Sequence, residues 1–294
     1  MKKIYYLLLC LMTFSAYGSS GKYMENDNKA LTNEEAQQYL QELERDQDKE
    51  FEAEFTRTTN LEFFLIKEYG FEGLKLVFSK KNSENYYPLG EIPQDSPWSS
   101  LNEKEMRDVI DIVFKPVNQK MPKLISQMKE RIRLIYVEKT NKEWKLHYLM
   151  DMKLYGGRDY FQVYTGGRPN KNVLPNAVLK KYNWSLPNDL VEFYSIHDGF
   201  GGSGSQFLLS SKELTIMGEM MNPIAKQQNV FPTQYKFDDL LEFFPDGSGN
   251  AQCFLRTGDS VDVTVDWDHE IWEISEGINF YDFLDERLSQ LDEE

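Results

Sequence analysis

Positive charge is scarce in this sequence. Its 294 residues include 33 Lys and Arg against 48 Asp and Glu, which gives a formal net charge of −15. A surface of this kind repels phosphate backbones and anionic lipids, and it attracts basic partners. We therefore expect a basic protein partner, and we expect no binding to nucleic acid.

Long apolar runs are absent after the first residues, since no later segment approaches the ~20 apolar residues that span a bilayer. Residues 1–18 predict an export signal, with a positive Lys2-Lys3 pair, an apolar run from Ile4 to Phe14, and a small-x-small cleavage site at Ala16-Tyr17-Gly18. We predict cleavage near Gly18, a periplasmic or secreted mature protein, and no stable membrane anchor.

Cysteine is also scarce, with two in the chain. If Cys10 leaves with the signal, Cys253 remains alone and no intramolecular disulfide forms. Lipidation at Cys10 is the alternative to cleavage, although Leu9 stands where a lipoprotein site needs a small residue. Only Arg256 offers positive charge near Cys253, so we expect this thiol to be a buried structural residue and not a nucleophile.

Sequence motifs for catalysis and metal binding are missing. The chain has no G-x-S-x-G elbow of a serine hydrolase. Its histidines, His147, His197 and His269, do not have the spacing of a zinc site, and we expect His197 to be partly buried and hydrogen-bonded. Carboxylate pairs such as Asp266 and Asp268 are weak evidence for glycoside hydrolysis, because acidic residues are abundant in this chain. We therefore expect no enzyme, no cofactor and no metal site.

Two glycine-rich segments partly match ligand-binding motifs, but their surrounding sequence does not fit those motifs. Residues 199–204 fit G-x-G-x-x-G, but they follow a predicted helix and precede a predicted strand, the reverse of a dinucleotide fold. Residues 246–250 begin like a calcium loop, but Ala251 and Thr257 stand where glycine and glutamate are required. We interpret the first segment as a flexible turn and the second as a β-hairpin turn.

The chain is long enough for two domains. We predict the signal peptide at 1–18, an acidic linker with a surface helix at 19–57, an uncharacterised α+β domain at 58–168, and a second α+β domain at 172–294. The boundary rests on Gly166-Gly167-Arg168-Pro169-Asn170, which is rich in residues that break regular structure.

Within the first domain the pattern predicts helices packed on an antiparallel meander. The expected elements are a helix at 61–69, a strand at 74–79, a loop at 86–100, helices at 102–114 and 117–130, and strands at 132–138, 144–152 and 160–164. The second domain is predicted to hold helices at 174–182 and from Leu186, strands at 206–210, 251–257, 261–266 and 271–274, and a final helix near Phe280.

The order and spacing of motifs in roughly residues 173–291 resemble the SMI1/KNR4 family, also called the SUKH superfamily. The matching segments are residues 186–194 (LPNDLVEFY), 197–199 (HDG), 246–250 (DGSGN), 266–270 (DWDHE) and 280–284 (FYDFL). The resemblance implies a mixed or antiparallel sheet packed by helices. It also implies a binding module, because bacterial members commonly act as immunity proteins that neutralise toxins by direct contact.

The resemblance implies a binding face on the concave side of the sheet and its neighbouring loops. The candidates combine carboxylates for steering with aromatic anchors. They are Gly201, Gly202, Asp246, Asp262, Asp266, Trp267, Asp268 and Trp272.

Two other functions remain open at this point. One is an exported hydrolase with its site in the first domain around Tyr148 to Tyr164, and the other is a regulatory envelope protein with a ligand pocket. The export signal itself departs from the immunity interpretation, because a protein that neutralises a cytoplasmic toxin is itself cytoplasmic. The sequence leaves the toxin, the oligomeric state and the role of residues 58–168 undetermined.

Overall fold

The structure is a computed structural model, and it describes residues 64–75, 85–140, 143–153, 159–202, 207–229, 235–258 and 260–289. The predicted signal peptide and the acidic segment at 19–57 lie outside the described residues. Helices and antiparallel sheets alternate along the described chain, which confirms the predicted α+β class. In the part of the chain that is described, no helix is both long enough and apolar enough to cross a bilayer.

Most helices of the described chain are short. Residues 64–75 form α1, and the others are α2 (Met106–Val113), α3 (Pro122–Arg131), α4 (Ala177–Lys181), α5 (Asn188–Tyr194), α6 (Met217–Gln228) and α7 (Phe280–Ser289). Short 3-10 turns occur at Ser99–Leu101 and Phe237–Asp239.

The strands form two antiparallel sheets. The first follows sequence order and contains β1 (Tyr86–Pro88), β2 (Ile132–Lys139), β3 (Trp144–Lys153), β4 (Asp159–Gly167), β5 (Phe200–Gly201) and β6 (Phe207–Leu208). The second contains β7 (Thr215–Ile216), β8 (Leu240–Pro245), β9 (Ala251–Thr257), β10 (Ser260–Asp268) and β11 (Glu273–Glu276), again in sequence order.

The first sheet crosses the boundary that the sequence predicts near residue 168. Strand β4 pairs with β5, with Thr165 opposite Gly201 and Gly166 opposite Phe200. Residues of both predicted domains, such as Phe114 and Phe193, share one buried cluster, and all described residues belong to one unit. The two segments therefore do not form the separate cores that we expected.

The glycines at that boundary explain the difference. Gly166 and Gly167 lie within β4 and do not break it. A Cβ at Gly166 would overlap the ring of His197, and a Cβ at Gly167 would overlap the backbone carbonyl of Asp198. Glycine is required here by the close approach of the chain that follows α5, and not by a turn between domains.

Several local elements also differ from the prediction, among them β8, which no predicted strand covers. Leu74 was expected to begin a strand but lies in α1, and β1 occupies part of the predicted loop at 86–100. Pro88 is compatible with β1 because this strand lies at the edge of its sheet. The sequence analysis also missed α6, which contains Pro223.

A buried carboxylate from α7 caps α3. The Asp285 side chain accepts hydrogen bonds from the backbone N–H groups of Lys123 (3.2 Å) and Leu124 (2.8 Å). The residue at the N-terminal boundary of α3, Met121, supplies no such cap. A negative charge at a helix N-terminus also interacts favourably with the helix dipole. Asp285 therefore fixes the position of α7 against the first half of the chain.

A buried histidine forms a second link between the two halves. The Nδ1 atom of His197 lies 3.1 Å from the carbonyl oxygen of Gly167, and its Nε2 lies 2.9 Å from the hydroxyl of Tyr148. Because the carbonyl only accepts, the neutral ring donates from Nδ1 and accepts the Tyr148 hydroxyl proton at Nε2. Complete burial lowers the pKa of His197 from 6.5 to about 4. This confirms the structural role expected for His197, with more complete burial than predicted.

We expect Asp285→Ala to lower the free energy of unfolding by about 2 kcal/mol, because two backbone donors of α3 lose a charged partner. Asp282→Ala is the matched control, since Asp282 is exposed one turn earlier in α7. It is expected to change stability by less than about 1 kcal/mol. Denaturant unfolding of both variants measures this, and equal losses would contradict the capping role.

The His197 pKa makes stability dependent on pH. Below pH 6.5 the unfolded state binds a proton that the folded state rejects, so stability falls from about pH 6.5 to about pH 4. The expected loss from this one group is about 3 kcal/mol. In His197→Asn this pH dependence disappears, because the titrating ring is absent. Tyr148→Phe lowers the free energy of unfolding but retains the slope of stability against pH. Urea unfolding across this pH range distinguishes the two variants, and an unchanged slope in His197→Asn would refute the assignment.

Candidate functional site

The principal candidate site is a cleft at one end of the second sheet. Its floor is a row of cross-strand neighbours, in which Phe244 of β8 lies opposite Gln252 of β9, Gln252 opposite Asp266 of β10, and Asp266 opposite Ser275 of β11. Side chains at directly opposed positions of antiparallel strands lie on the same face of the sheet. We call this site the acidic cleft; the turns at 246–250 and 268 complete its rim.

One wall of the acidic cleft is formed by α7. Phe283 and Arg287 both line it, and they lie four residues apart and so on one face of the helix. The Phe283 ring packs edge-on against Phe244, with 5.0 Å between ring centroids. The cleft has a volume of about 350 Å³, which is enough for one or two side chains of a partner.

Three of the candidate aspartates meet at this cleft. Asp246, Asp266 and Asp268 all line it, and Arg287 is the one basic side chain among its described lining residues. The cleft therefore carries more negative than positive charge. These three aspartates are among the candidates named from the sequence, and their environments differ.

The Asp246 carboxylate holds its own turn. It accepts hydrogen bonds from the backbone N–H groups of Ser248 (2.8 Å), Gly249 (3.1 Å) and Asn250 (3.0 Å) and from the Ser248 hydroxyl (2.6 Å). These hydrogen bonds lower the pKa of Asp246 although partial burial opposes them. The segment is thus a hairpin turn between β8 and β9, as we interpreted it from the sequence, and Asp246 is primarily structural.

Asp268 has a similar local role. Its carboxylate accepts from the backbone N–H of Glu270 at 2.9 Å, within the turn between β10 and β11. His269 in this turn donates its backbone N–H to the Asn250 side-chain oxygen at 3.0 Å, which joins the two turns at the rim. Replacing either Asp246 or Asp268 therefore perturbs the shape of the cleft together with its charge.

Asp266 has a different environment from the other two. It is half-buried in the middle of the floor, and burial alone raises the pKa of its carboxyl group above the ordinary value. Beside it, the Oε1 atom of Gln252 is buried and has no hydrogen-bond partner within the described part of the chain. Two acceptors, one of them charged, thus lie side by side in the floor of the cleft.

The two candidate tryptophans belong to a hydrophobic core and are not exposed anchors. Trp267 is only 1% exposed and packs edge-on against Phe237 (5.1 Å) and Trp272 (5.8 Å). Trp272 is partly buried against the same cluster. The expectation that Trp267 offers its ring to a partner is wrong, because the alternation of β10 turns this side chain to the face covered by α6 and its neighbours.

The remaining candidates lie elsewhere. Gly201 and Gly202 follow α5 in the first sheet and line a separate cleft of about 200 Å³ that shares no lining residue with the acidic cleft. A Cβ at Gly202 would overlap only the terminal amide of the flexible Gln162 side chain, so packing does not by itself require glycine here. Asp262 lies in β10, and its side chain is outside what the structure describes.

The other reactive side chains have structural partners. His147 lies between the Thr165 hydroxyl (2.9 Å) and the Glu138 carboxylate (3.0 Å) on the first sheet. Cys253 is completely buried, which raises the pKa of its thiol and opposes nucleophilic chemistry. In the described ranges, no three His, Cys, Asp or Glu side chains are grouped to hold a metal ion.

The sequence candidates did not include seven lining residues of the acidic cleft, which are Phe244, Asn250, Ala251, Gln252, Ser275, Phe283 and Arg287. A usable signal existed for one pair, because Phe283 and Arg287 are spaced by one helical turn in a predicted helix. No signal existed for Gln252 beside Asp266, because their contact depends on the register of β9 against β10.

Asp266→Asn should stabilise the isolated protein. A folded-state pKa above the unfolded value means that stability falls as pH rises through the unfolded pKa and toward the folded one. At pH 7 we therefore expect Asp266→Asn to be more stable than the wild-type protein, with no gain near pH 3. Asp268→Asn is the control and should destabilise, because it weakens the turn. A loss of stability in Asp266→Asn at pH 7 would contradict the strain inferred at this carboxylate.

No protein-family model matches the chain, and neither a search of curated proteins nor a search of solved structures finds a match. The geometry and charge of the acidic cleft therefore carry the functional inference.

Proposed function

We propose that this protein is an exported binding protein that neutralises a basic toxin domain by direct contact through the acidic cleft. The observation that carries the proposal is the position of Asp266, a half-buried carboxylate in the middle of the cleft floor, between Gln252 and Ser275 and below the aromatic wall of α7. A charge in such a position gains free energy when a cationic partner covers it, because the partner supplies the compensation that water no longer supplies.

The overall charge supports the same type of partner. A net charge of −15 accelerates encounter with a basic protein and suppresses association with acidic ones. The motif resemblance to SMI1/KNR4 immunity proteins agrees with this chemistry, since many toxin nucleases are basic. The proposed periplasmic location requires a toxin that acts outside the cytoplasm.

The shape of the cleft supports binding of a protruding side chain. Its aromatic wall comes from Phe244 and Phe283, and these rings take the anchoring role that the sequence analysis assigned to Trp267 and Trp272. Anchors of this kind contribute most when charged neighbours are desolvated around them. The rim turns at Asp246 and Asp268 add charge without presenting free carboxylates.

An exported hydrolase with its site around Tyr148 to Tyr164 has less support. Both tyrosines are completely buried, and their hydroxyls donate hydrogen bonds to His197 and to the Leu288 carbonyl oxygen, at 2.9 and 2.8 Å. Neither hydroxyl is therefore available to a substrate. A regulatory envelope protein would use the acidic cleft in the same way, with a different partner.

The test uses the full mature chain as bait in extracts of the producing cell, followed by affinity measurement with the purified partner. We expect Asp266→Lys to weaken binding by roughly 30-fold or more, because it places a cation in a cleft suited to one. Glu103→Lys changes the net charge equally at an exposed residue outside the cleft, and should weaken binding less than about 3-fold.

Protection against the partner's toxicity in co-expression provides the functional readout. Asp266→Lys should lose protection and Glu103→Lys should retain it. Equal losses in both variants would assign the effect to net charge alone, and unaltered affinity in Asp266→Lys would remove the acidic cleft from the interface.

A further inference from the structure

We propose that the cleft beside Gly201 and Gly202 hydrolyses short, neutral carboxylic esters. Thr165 is the nucleophile, His147 is the general base, and Glu138 positions His147. The inference departs from the expectation of no enzyme, which rested on missing sequence motifs. It is independent of the proposed function, because this cleft shares no lining residue with the acidic cleft.

A chain of hydrogen bonds joins three side chains on one face of the first sheet. The Thr165 hydroxyl lies 2.9 Å from Nδ1 of His147, and Nε2 of His147 lies 3.0 Å from the Glu138 carboxylate. The hydrogen bond from His147 lowers the pKa of Glu138 although partial burial opposes it, so this carboxylate is ionised and only accepts. The neutral ring therefore donates from Nε2 and accepts the Thr165 hydroxyl proton at Nδ1. A hydroxyl, an imidazole and a carboxylate in this order activate a nucleophile.

The register of the first sheet produces this arrangement. His147 of β3 is directly opposite Thr165 of β4 and Tyr136 of β2, and Glu138 follows Tyr136 by two residues on the same face. The Tyr136 ring stacks on His147 with 4.7 Å between ring centroids, which fixes the plane of the imidazole. Because the three polar residues lie on three strands, no local sequence motif reveals them.

Thr165 is open to the cleft, unlike the neighbouring Tyr164. Successive residues of a strand alternate between faces, so Tyr164 is buried in the core whereas Thr165 is half-buried and lines the cleft. Gly201 of β5 lies directly opposite Thr165 and has no side chain. Phe207 of β6 lies opposite Gly201, so an aromatic ring bounds the gap that the glycine leaves beside the hydroxyl.

The lining of the cleft determines the substrate class. Its volume of about 200 Å³ admits a short acyl group and is smaller than the sites of drug-sized molecules. Glu143 and Glu213 are exposed and line it, so anionic substrates are disfavoured. Lys145 also lines it and lies two residues from His147 on the same face of β3. Its ammonium group offers positive charge to a carbonyl oxygen that becomes negative during attack.

The reaction is ester hydrolysis through an acyl-threonine. The Thr165 oxygen bonds to the carbonyl carbon while its proton passes to Nδ1 of His147, and that proton leaves with the alcohol as the ester C–O bond breaks. Water then attacks the acyl group and gives a proton to His147, and this proton returns to the Thr165 oxygen as the acid is released. Each ester and water consumed yield one alcohol and one carboxylic acid.

The kinetic test uses the full mature protein and p-nitrophenyl acetate, with nitrophenolate release measured over a range of substrate concentrations. We expect Thr165→Val to lower kcat at least about tenfold, because it removes the hydroxyl and keeps the shape, and Thr165→Ser to retain hydrolysis. Glu138→Gln should lower kcat about tenfold without raising KM, since Glu138 contacts His147 and not the substrate. Thr257→Val is the control at an exposed residue outside the cleft, and it should leave kcat and KM unchanged.

A labelling experiment tests the same hydroxyl without a substitution. A fluorophosphonate should react with the Thr165 oxygen with loss of fluoride, and peptide mass mapping locates the phosphonyl group. Labelling confined to other residues, or the same kcat in Thr165→Val as in the wild-type protein, would overturn the hydrolytic site. Either result leaves the proposed function intact, because that depends on the loss of partner binding in Asp266→Lys.

Discussion

The rest of the structure depends on the buried imidazole of His197, which connects the first sheet to the segment that follows α5. It donates to the carbonyl oxygen of Gly167 at the end of β4 and accepts from the Tyr148 hydroxyl of β3, while its own backbone follows α5. Because the ring is completely buried, each of its nitrogens needs a partner, and only the joined arrangement of sheet and helix provides both. The same buried cluster continues to α7, whose Phe283 and Arg287 form a wall of the acidic cleft.

The protein accommodates negative charge in three different ways. Asp285 is buried but caps α3, and Asp246 is held by the backbone amides of its own turn, so both carboxylates contribute to the fold. Asp266 has burial without such compensation. A charge that lacks compensation in a cleft is most readily explained by binding. The partner then supplies the hydrogen bond or opposite charge that the free protein lacks. Glu242 of β8 is also buried without compensation but does not line the cleft, so the contrast distinguishes Asp266 among the aspartates of the acidic cleft.

Most of the long strands were accessible to sequence reasoning, whereas β8 and the connection between the two halves were not. Strand β9 was predicted with its observed bounds at 251–257, and β3 at 144–152 differs by one residue, because alternating apolar residues specify such strands locally. The helix α6 was missed because Gly218 and Pro223 interrupt its pattern. The boundary near 168 was misjudged because Gly166 and Gly167 look the same in a linker as in a strand that packs closely against His197.

Composition and local chemistry determined the acidic character of the chain, the α+β class and the hairpin turn held by Asp246, since each follows from residue types close together in sequence. The tertiary structure decided that Trp267 is core, that Gly201 lies apart from the aspartates, and that Asp266 meets Gln252 under the wall of α7. These outcomes depend on the register of β9 against β10 and on the packing of distant segments. Neither is encoded in the spacing of residues along a single stretch of chain.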